Sequence, residues 1–461
     1  MLILEQSNKL EGYLKTVCQQ IRWKKAHGVI SEELENHIID QKNAFVSEGF
    51  TEENAMDKAI EEMGDPIVVG SELDRTHKPK PEWSIISLTG VLLFLGFLIR
   101  EFIANDVSNA ANSTGSNVVI TVFGIAVMVI AYFLDYTIIG KHPKFIYFGL
   151  IAIMISSMVI SPGTISISQK YMGQFFYAKF IMLLFPTAFA GIIYSMRNRG
   201  YEGIVLSGIY FIFPALLCLQ IPSLSSLAMY TITCLIILTY AILKGWFNVK
   251  KLKAMLLVYI PTLITPFIAL KFMEQYQIAR LKYALNPSLD PFGAGYIANV
   301  TRLIIKNAKL IGYNSYGIDT GNLLPNINTD FIMTHLIDRL GWISFILLVM
   351  VFLIFIIRAL KLVHNQKNVL GNLVSISVIA TFIMQVIIYV LNNLGFPLIA
   401  PLTLPLISYS RTGTILNLFL IGIMLSVFRN SSIYTSKETS NIKGKKTFNF
   451  IDGKIIIDLN R

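Results

Sequence analysis

Ten continuous apolar runs, each near the length that spans a bilayer, leave this chain few ways to fold. They lie near residues 84–103, 117–139, 145–161, 178–195, 201–219, 224–243, 254–272, 341–360, 370–391 and 404–428. A helix needs about 20 apolar residues to cross the hydrocarbon core. Inside lipid each backbone N–H and C=O must find its partner within the protein, so such runs close as helices. Apolar residues do not alternate along them, which excludes an outer-membrane barrel. The expected fold class is all-α, a polytopic membrane bundle of about ten transmembrane helices with a small soluble helical domain at the N-terminus.

Charge sets the orientation. Only 15% of the residues are charged, against roughly 25% in soluble domains. Residues 1–83 carry 10 Lys/Arg and 16 Asp/Glu, while residues 84–461 carry 29 and 12. An acidic head thus joins a basic membrane body. The basic excess suits anionic lipid headgroups and, being unclustered, not nucleic acid. Lys141, Lys144, Arg197, Arg199, Lys244, Lys250, Lys251, Lys253, Arg358, Lys361 and Lys367 fall in alternate short loops, and the tail 429–461 is basic. Positive residues stay inside, so both termini are expected in the cytoplasm. The first membrane helix is expected to act as its own insertion signal. Residues 273–340 then form a large outer loop between spans seven and eight, and long loops in otherwise tight proteins carry function.

Residues 1–80 read as a cytoplasmic helical domain. Ser31 before Glu32-Glu33 and Thr51 before Glu52-Glu53 look like helix N-caps, and Gly28 and Gly64-Asp65-Pro66 look like stops. The stretches Ile30-Ser-Glu-Glu-Leu, Gly49-Phe-Thr-Glu-Glu-Asn-Ala and Ala59-Ile-Glu-Glu-Met-Gly-Asp-Pro66 resemble the HAAS or permease-prefix domain. That resemblance implies a docking or regulatory role. Cys18, Cys218 and Cys234 have no metal-ligand spacing and read as small hydrophobes.

No glycine-rich phosphate loop is present, so ATP and dinucleotide chemistry have no visible site. Polar residues at the outer face are the remaining candidates. Asp330 stands in Leu324-Pro-Asn-Ile-Asn-Thr-Asp-Phe-Ile332. It, or Thr329, could simply cap the following helix. Lys179 and Arg280 could be lysine and arginine stems reaching the headgroup layer. Arg411, near the end of the last run, is costly against lipid and is expected to face a polar cavity. Asp135 is expected to pair with Lys141 or water, and His335 to be a surface residue.

From residue 84 to 428 these features resemble the SEDS family of bacterial shape, elongation, division and sporulation proteins, of the RodA, FtsW and SpoVE type. The likeness rests on Arg280, Leu281, Asn286, Pro287, Asp290, Pro291, Gly295 and Tyr296, and on Leu324, Pro325, Thr329, Asp330, Phe331 and Ile332. Reduced matches occur at Gln174, Ala178 and Lys179 and at Leu404, Pro405, Ile407, Ser408 and Tyr409. The family glutamate before the lysine is Tyr177 here, and the family Gly-Gly is Ser410-Arg411.

The resemblance implies a peptidoglycan glycosyltransferase. It would polymerise lipid II, an undecaprenyl-pyrophosphate-linked disaccharide peptide, alongside a class B penicillin-binding protein. Asp330 would be the catalytic carboxylate. Lys179, Arg280, Ser408 and Arg411 would bind substrate, with a divalent cation as another candidate for stabilising the pyrophosphate. Two other readings stay open: a degenerate scaffold that binds the penicillin-binding protein without turnover, and a flippase for lipid-linked precursors.

Overall fold

The computed structural model describes residues 2–79, 81–106, 114–159, 178–220, 223–271, 275–313, 323–396, 402–430, 448–451 and 454–457. The chain divides into two compact units, Met1–Pro81 with Phe428–Arg461, and Glu82–Val427.

In the first unit, helices α1 (Leu2–Gln20), α2 (His27–Ser47), α3 (Glu52–Glu62) and α4 (Pro66–His77) enclose a small core. Tyr13, Val17, Ile21, Ile30, Ile38, Ala55 and Ala59 are buried in it. The Thr51 side chain caps α3 by accepting from Asn54 N at 3.4 Å, and Asp65 caps α4 by accepting from Ile67 N at 2.7 Å. Gly49 and Gly64 adopt φ of +101° and +84°, a conformation that suits glycine and ends helices. Ser31 and Gly28 behave otherwise. Both lie inside α2, which begins at His27 after a 3-10 turn at Lys24–Ala26. Ala26 and Ile30 are buried in the core, and that burial outweighs the roughly 1 kcal/mol that a mid-helix glycine costs. The strands described are a short antiparallel pair, β1 (Phe448–Ile451) and β2 (Lys454–Ile457).

The described residues of the second unit are predominantly helical. Its elements are α5 (Trp83–Asp106), α6 (Thr114–Phe133), α7 (Thr137–Lys141), α8 (Pro143–Val159), α9 (Ala178–Ile181), α10 (Phe185–Met196), α11 (Gly200–Gln220), α12 (Leu224–Leu243) and α13 (Lys251–Lys271). They are followed by α14 (Gln275–Leu285), α15 (Tyr296–Asn307), α16 (Ile332–Leu340), α17 (Trp342–His364), α18 (Val369–Asn393) and α19 (Arg411–Arg429). Each of the ten apolar runs carries a helix. Among the described residues seven helices are long and apolar enough to cross a membrane, with α9 and α10 counted as one, and two shorter apolar helices span Val118–Phe133 and Pro143–Met158. Asp135 accepts from Thr137 N at 3.1 Å and so shapes the turn into α7. Cys218 and Cys234 are buried thiols.

The final run departs from expectation at its start. Leu404–Ser410 is an irregular buried segment, and α19 begins at Arg411. Pro405 lacks the N–H that a helix interior needs, and Leu406 sits at φ +66°. The Ser408 hydroxyl accepts from Leu404 N at 2.9 Å and fixes the turn.

Helix α18 is the centre of the bundle and packs against α10, α12 and α17. Ser377, Thr381, Gln385, Tyr389 and Asn393 recur along it at every fourth residue, and all five are buried. Polar side chains in a membrane bundle face its interior and find partners there. Ser377 donates to Thr187 Oγ1 at 3.2 Å. Gln385 and Asn417 exchange amide hydrogen bonds at 3.0 and 3.2 Å, joining α18 to α19.

Small residues let other helices close up. A Cβ on Gly422 of α19 would lie 2.5 Å from Met128 O and 2.7 Å from Ala131 Cβ of α6. Gly422→Val should therefore force the pair apart and cost about 1–3 kcal/mol by overpacking. A thermal midpoint in detergent equal to that of the unaltered protein would contradict this packing.

Candidate functional site

Asp330 sits in a tight turn between Leu324 and the start of α16. Pro325 leads in, Asn326 takes φ +52°, and Asp330 N donates back to Asn326 O at 2.8 Å. This turn could have been a helix cap, with Asp330 or Thr329 receiving the free N–H groups of α16. The structure assigns those N–H groups elsewhere. Ile332 N donates to the Tyr389 hydroxyl at 3.1 Å, and Thr334 N donates to Asn393 Oδ1 at 3.0 Å. The residue at the cap position, Phe331, offers no side-chain bond. Two side chains of α18 thus do the capping.

The same side chains hold the turn's carbonyls. Tyr389 Oη donates to Thr329 O at 3.1 Å, and Asn393 Nδ2 donates to Asp330 O at 2.9 Å. Ser408 Oγ donates to Thr329 O at 2.7 Å, and Tyr409 N donates to Asn328 O at 3.0 Å. The backbone of Asp330 is therefore clamped between α18 and the Leu404–Ser410 segment. Its carboxylate is half-buried and accepts from Asn326 Nδ2 at 3.4 Å.

Burial pushes the Asp330 carboxyl above its ordinary range, while the positive charge of Lys179 and hydrogen bonds from Thr329 and Asn326 pull it back in part. Lys179 is half-buried on α9, with its ammonium 5.0 Å from the centre of the Phe180 ring. Phe180 lies against Gly413 beside Ser410 and Thr403, so α9 and the start of α19 meet next to the turn. A carboxylate raised by burial and opposed by the Lys179 cation is suited to taking a proton.

The other expected site residues divide. Ser408 is buried, and its hydroxyl is engaged with Thr329 O and Leu404 N. In this structure it shapes the Asp330 turn. Arg411 is exposed at the first turn of α19 and donates to Tyr409 Oη at 3.3 Å. The backbone of Arg280 is in α14, and its side chain lies outside the described residues, as do Gln174 and Tyr177. His335 is a correction. It is fully buried, with Nε2 at 3.2 Å from Asp106 Oδ2, because α16 turns it inward against α5. Among the described residues no three His, Cys, Asp or Glu side chains group closely enough to hold a metal ion.

Sequence reasoning missed Tyr389, Asn393 and Arg100. The fourfold polar spacing along an otherwise apolar run was the available signal for the first two.

Residues 82–433 match the family model FTSW_RODA_SPOVE, described as a cell cycle protein. Stage V sporulation protein E of Bacillus subtilis is 28% identical over 175 residues, which cover 36% of this chain and 46% of that protein. A probable peptidoglycan glycosyltransferase FtsW of Buchnera aphidicola is 31% identical over 50% of this chain and 65% of its own length. Another, from Coxiella burnetii, is 24% identical over 66% and 76%. The chain spans about half the length of the first curated relatives it matches. A chain from a solved peptidoglycan synthase complex, described for its coordination of polymerization and crosslinking, superposes with a TM-score of 0.59 at 18% identity, covering 76% of this chain and 98% of that one. The likeness is one of fold.

Lys179 holds the Asp330 carboxyl down against burial, so removing it should move that carboxyl further up. In Lys179→Met, carbodiimide labelling of Asp330, which needs the protonated acid, should persist to higher pH than in the unaltered protein. Identical labelling profiles would show that Lys179 does not act on Asp330.

Proposed function

The chain belongs to the FtsW/RodA/SpoVE family, the SEDS proteins, and from that premise we propose that it is a peptidoglycan glycosyltransferase with Asp330 as its general base. The observation that carries this reading is a carboxylate relieved of capping duty, raised by burial and set beside a lysine. Family membership and the relatives named as glycosyltransferases support it.

Lipid II is the proposed substrate, at the outer face of the bacterial cytoplasmic membrane. Both the growing strand and the incoming unit keep their lipid tails in the bilayer, so the reacting sugars stay at headgroup depth. The acceptor hydroxyl is a poor nucleophile at neutral pH. Asp330 takes its proton as the oxygen attacks the anomeric carbon. A new glycosidic bond forms, the anomeric C–O bond to the lipid pyrophosphate breaks, and the electron pair leaves with the phosphate. Lys179 offsets the charge that builds there, and Arg280 and Arg411 are the further proposed phosphate contacts.

The proposed topology has ten crossings with both termini in the cytoplasm, which puts residues 273–340 outside. The proposed partner is a class B penicillin-binding protein, which would crosslink the strand. Residues 1–80 are proposed as a docking or regulatory domain of the HAAS type, with no part in the chemistry.

Asp330→Ala in the purified full chain should abolish polymerisation of lipid II while leaving the thermal midpoint near that of the unaltered protein. Turnover retained in that variant would remove Asp330 from the reaction. An unaltered protein that binds a penicillin-binding protein but never polymerises, alone or with it, would assign the scaffold reading instead. Deleting residues 1–80 should leave polymerisation measurable, and complete loss in a correctly inserted protein would give that domain a part in catalysis.

A further inference from the structure

Helix α18 fastens one side of the Asp330 turn. A second helix, far upstream in the chain, also reaches the segments that hold it. Two pairs of residues on α5, each pair four apart and so neighbours on the helix surface, reach the two flanks of the turn.

Gly96 and Arg100 form the first pair. A Cβ on Gly96 would lie 2.7 Å from Leu406 O and 3.0 Å from Ile407 Cα, so the helix backbone runs directly against the Leu404–Ser410 segment. Arg100 donates from Nε to Gly96 O at 2.8 Å and from Nη2 to Leu406 O at 3.4 Å. That segment in turn holds Asn328 O and Thr329 O through Tyr409 N and Ser408 Oγ. Phe102 and Asp106 form the second pair. Phe102 lies 6.4 Å ring to ring from the buried His335, and Asp106 Oδ2 is 3.2 Å from His335 Nε2 and 2.7 Å from Arg339 Nε. Arg339 also lies 3.9 Å from the buried Asp338, and its guanidinium covers the Tyr313 ring at 4.8 Å. His335 and Arg339 belong to α16, whose first residue is two positions after Asp330.

We infer that α5 is a second positioning element for the Asp330 carboxylate, with Asp106 acting through α16 and Arg100 acting through the Leu406 carbonyl. Neither residue is placed against the reacting atoms. Their work is to keep a short turn from tilting away from its partners on α18. The inference rests on the glycosyl-transfer reading for its kinetic consequence, but the geometry it describes exists without turnover.

The test uses the purified full chain in lipid nanodiscs, with two readouts. Asp106→Asn should speed amide hydrogen exchange across residues 326–340 while leaving residues 370–377 unchanged. In lipid II polymerisation it should lower kcat about 10-fold with KM within twofold, since a misplacement of about 1 Å can cost 10²-fold. Asp106→Glu, which restores the charge, should recover most of the loss. A purely structural defect would spread through the exchange map and would not be rescued selectively in kcat. Arg339→Gln removes the 2.7 Å contact from the other side and serves as the variant if Asp106→Asn does not fold. Unchanged exchange over 326–340 in the folded variant overturns the inference. So does altered exchange accompanied by unaltered kcat in a protein that polymerises. Faster exchange over 326–340 in a protein whose unaltered form never polymerises leaves the positioning inference standing and overturns the glycosyl-transfer reading.

Discussion

The start of α16 would leave backbone N–H groups without partners if α18 did not supply them. Tyr389 and Asn393 do so from across 57 and 59 residues of sequence. A buried N–H left unpaired costs about 1–3 kcal/mol, so these bonds are not optional in the bundle interior. Their effect extends past stability. An aspartate at the head of a helix usually gives its carboxylate to the backbone. Here the amide and the phenol take that duty, and the carboxylate keeps its oxygens for other partners.

The arrangement is economical because each group serves twice. Tyr389 accepts from Ile332 N and donates to Thr329 O; Asn393 accepts from Thr334 N and donates to Asp330 O. The Thr334 hydroxyl also donates to Asn393 O at 3.0 Å. Both donors and acceptors are matched, which is what a low-dielectric interior demands of polar groups. The irregular Leu404–Ser410 segment is tolerated in the bundle for the same reason, since it is buried within protein and its groups find partners there.

Much of the fold was legible in the sequence because hydropathy acts locally. A run of apolar residues declares a membrane helix without reference to any other run. The Asp330 turn was legible in part, through Pro325 and through the polar residues around it in the long loop before α16. The clamp around it was not. Arg100 and Leu406 are separated by 306 positions, and no local pattern signals that an arginine in the first span will meet a carbonyl near the last. His335 was misjudged for the same reason, as the Asp106 it faces lies far upstream. Ser31 and Gly28 failed in the opposite sense: their local signals were clear, and tertiary packing of Ala26 and Ile30 overruled them. Leu404–Ser410 reads as apolar, yet hydropathy cannot distinguish a span from a buried strap.

The reciprocal amides of Gln385 and Asn417 carry a consequence for how such a bundle can change over generations. Each amide presents a donor where the other presents an acceptor, so the pair has a fixed polarity. Altering one partner alone strands a buried donor or acceptor in the other, whereas replacing both with apolar groups of matching shape can be nearly neutral. Descendants of this chain should therefore alter the two positions together or not at all, leaving a correlated signature across the α18–α19 seam.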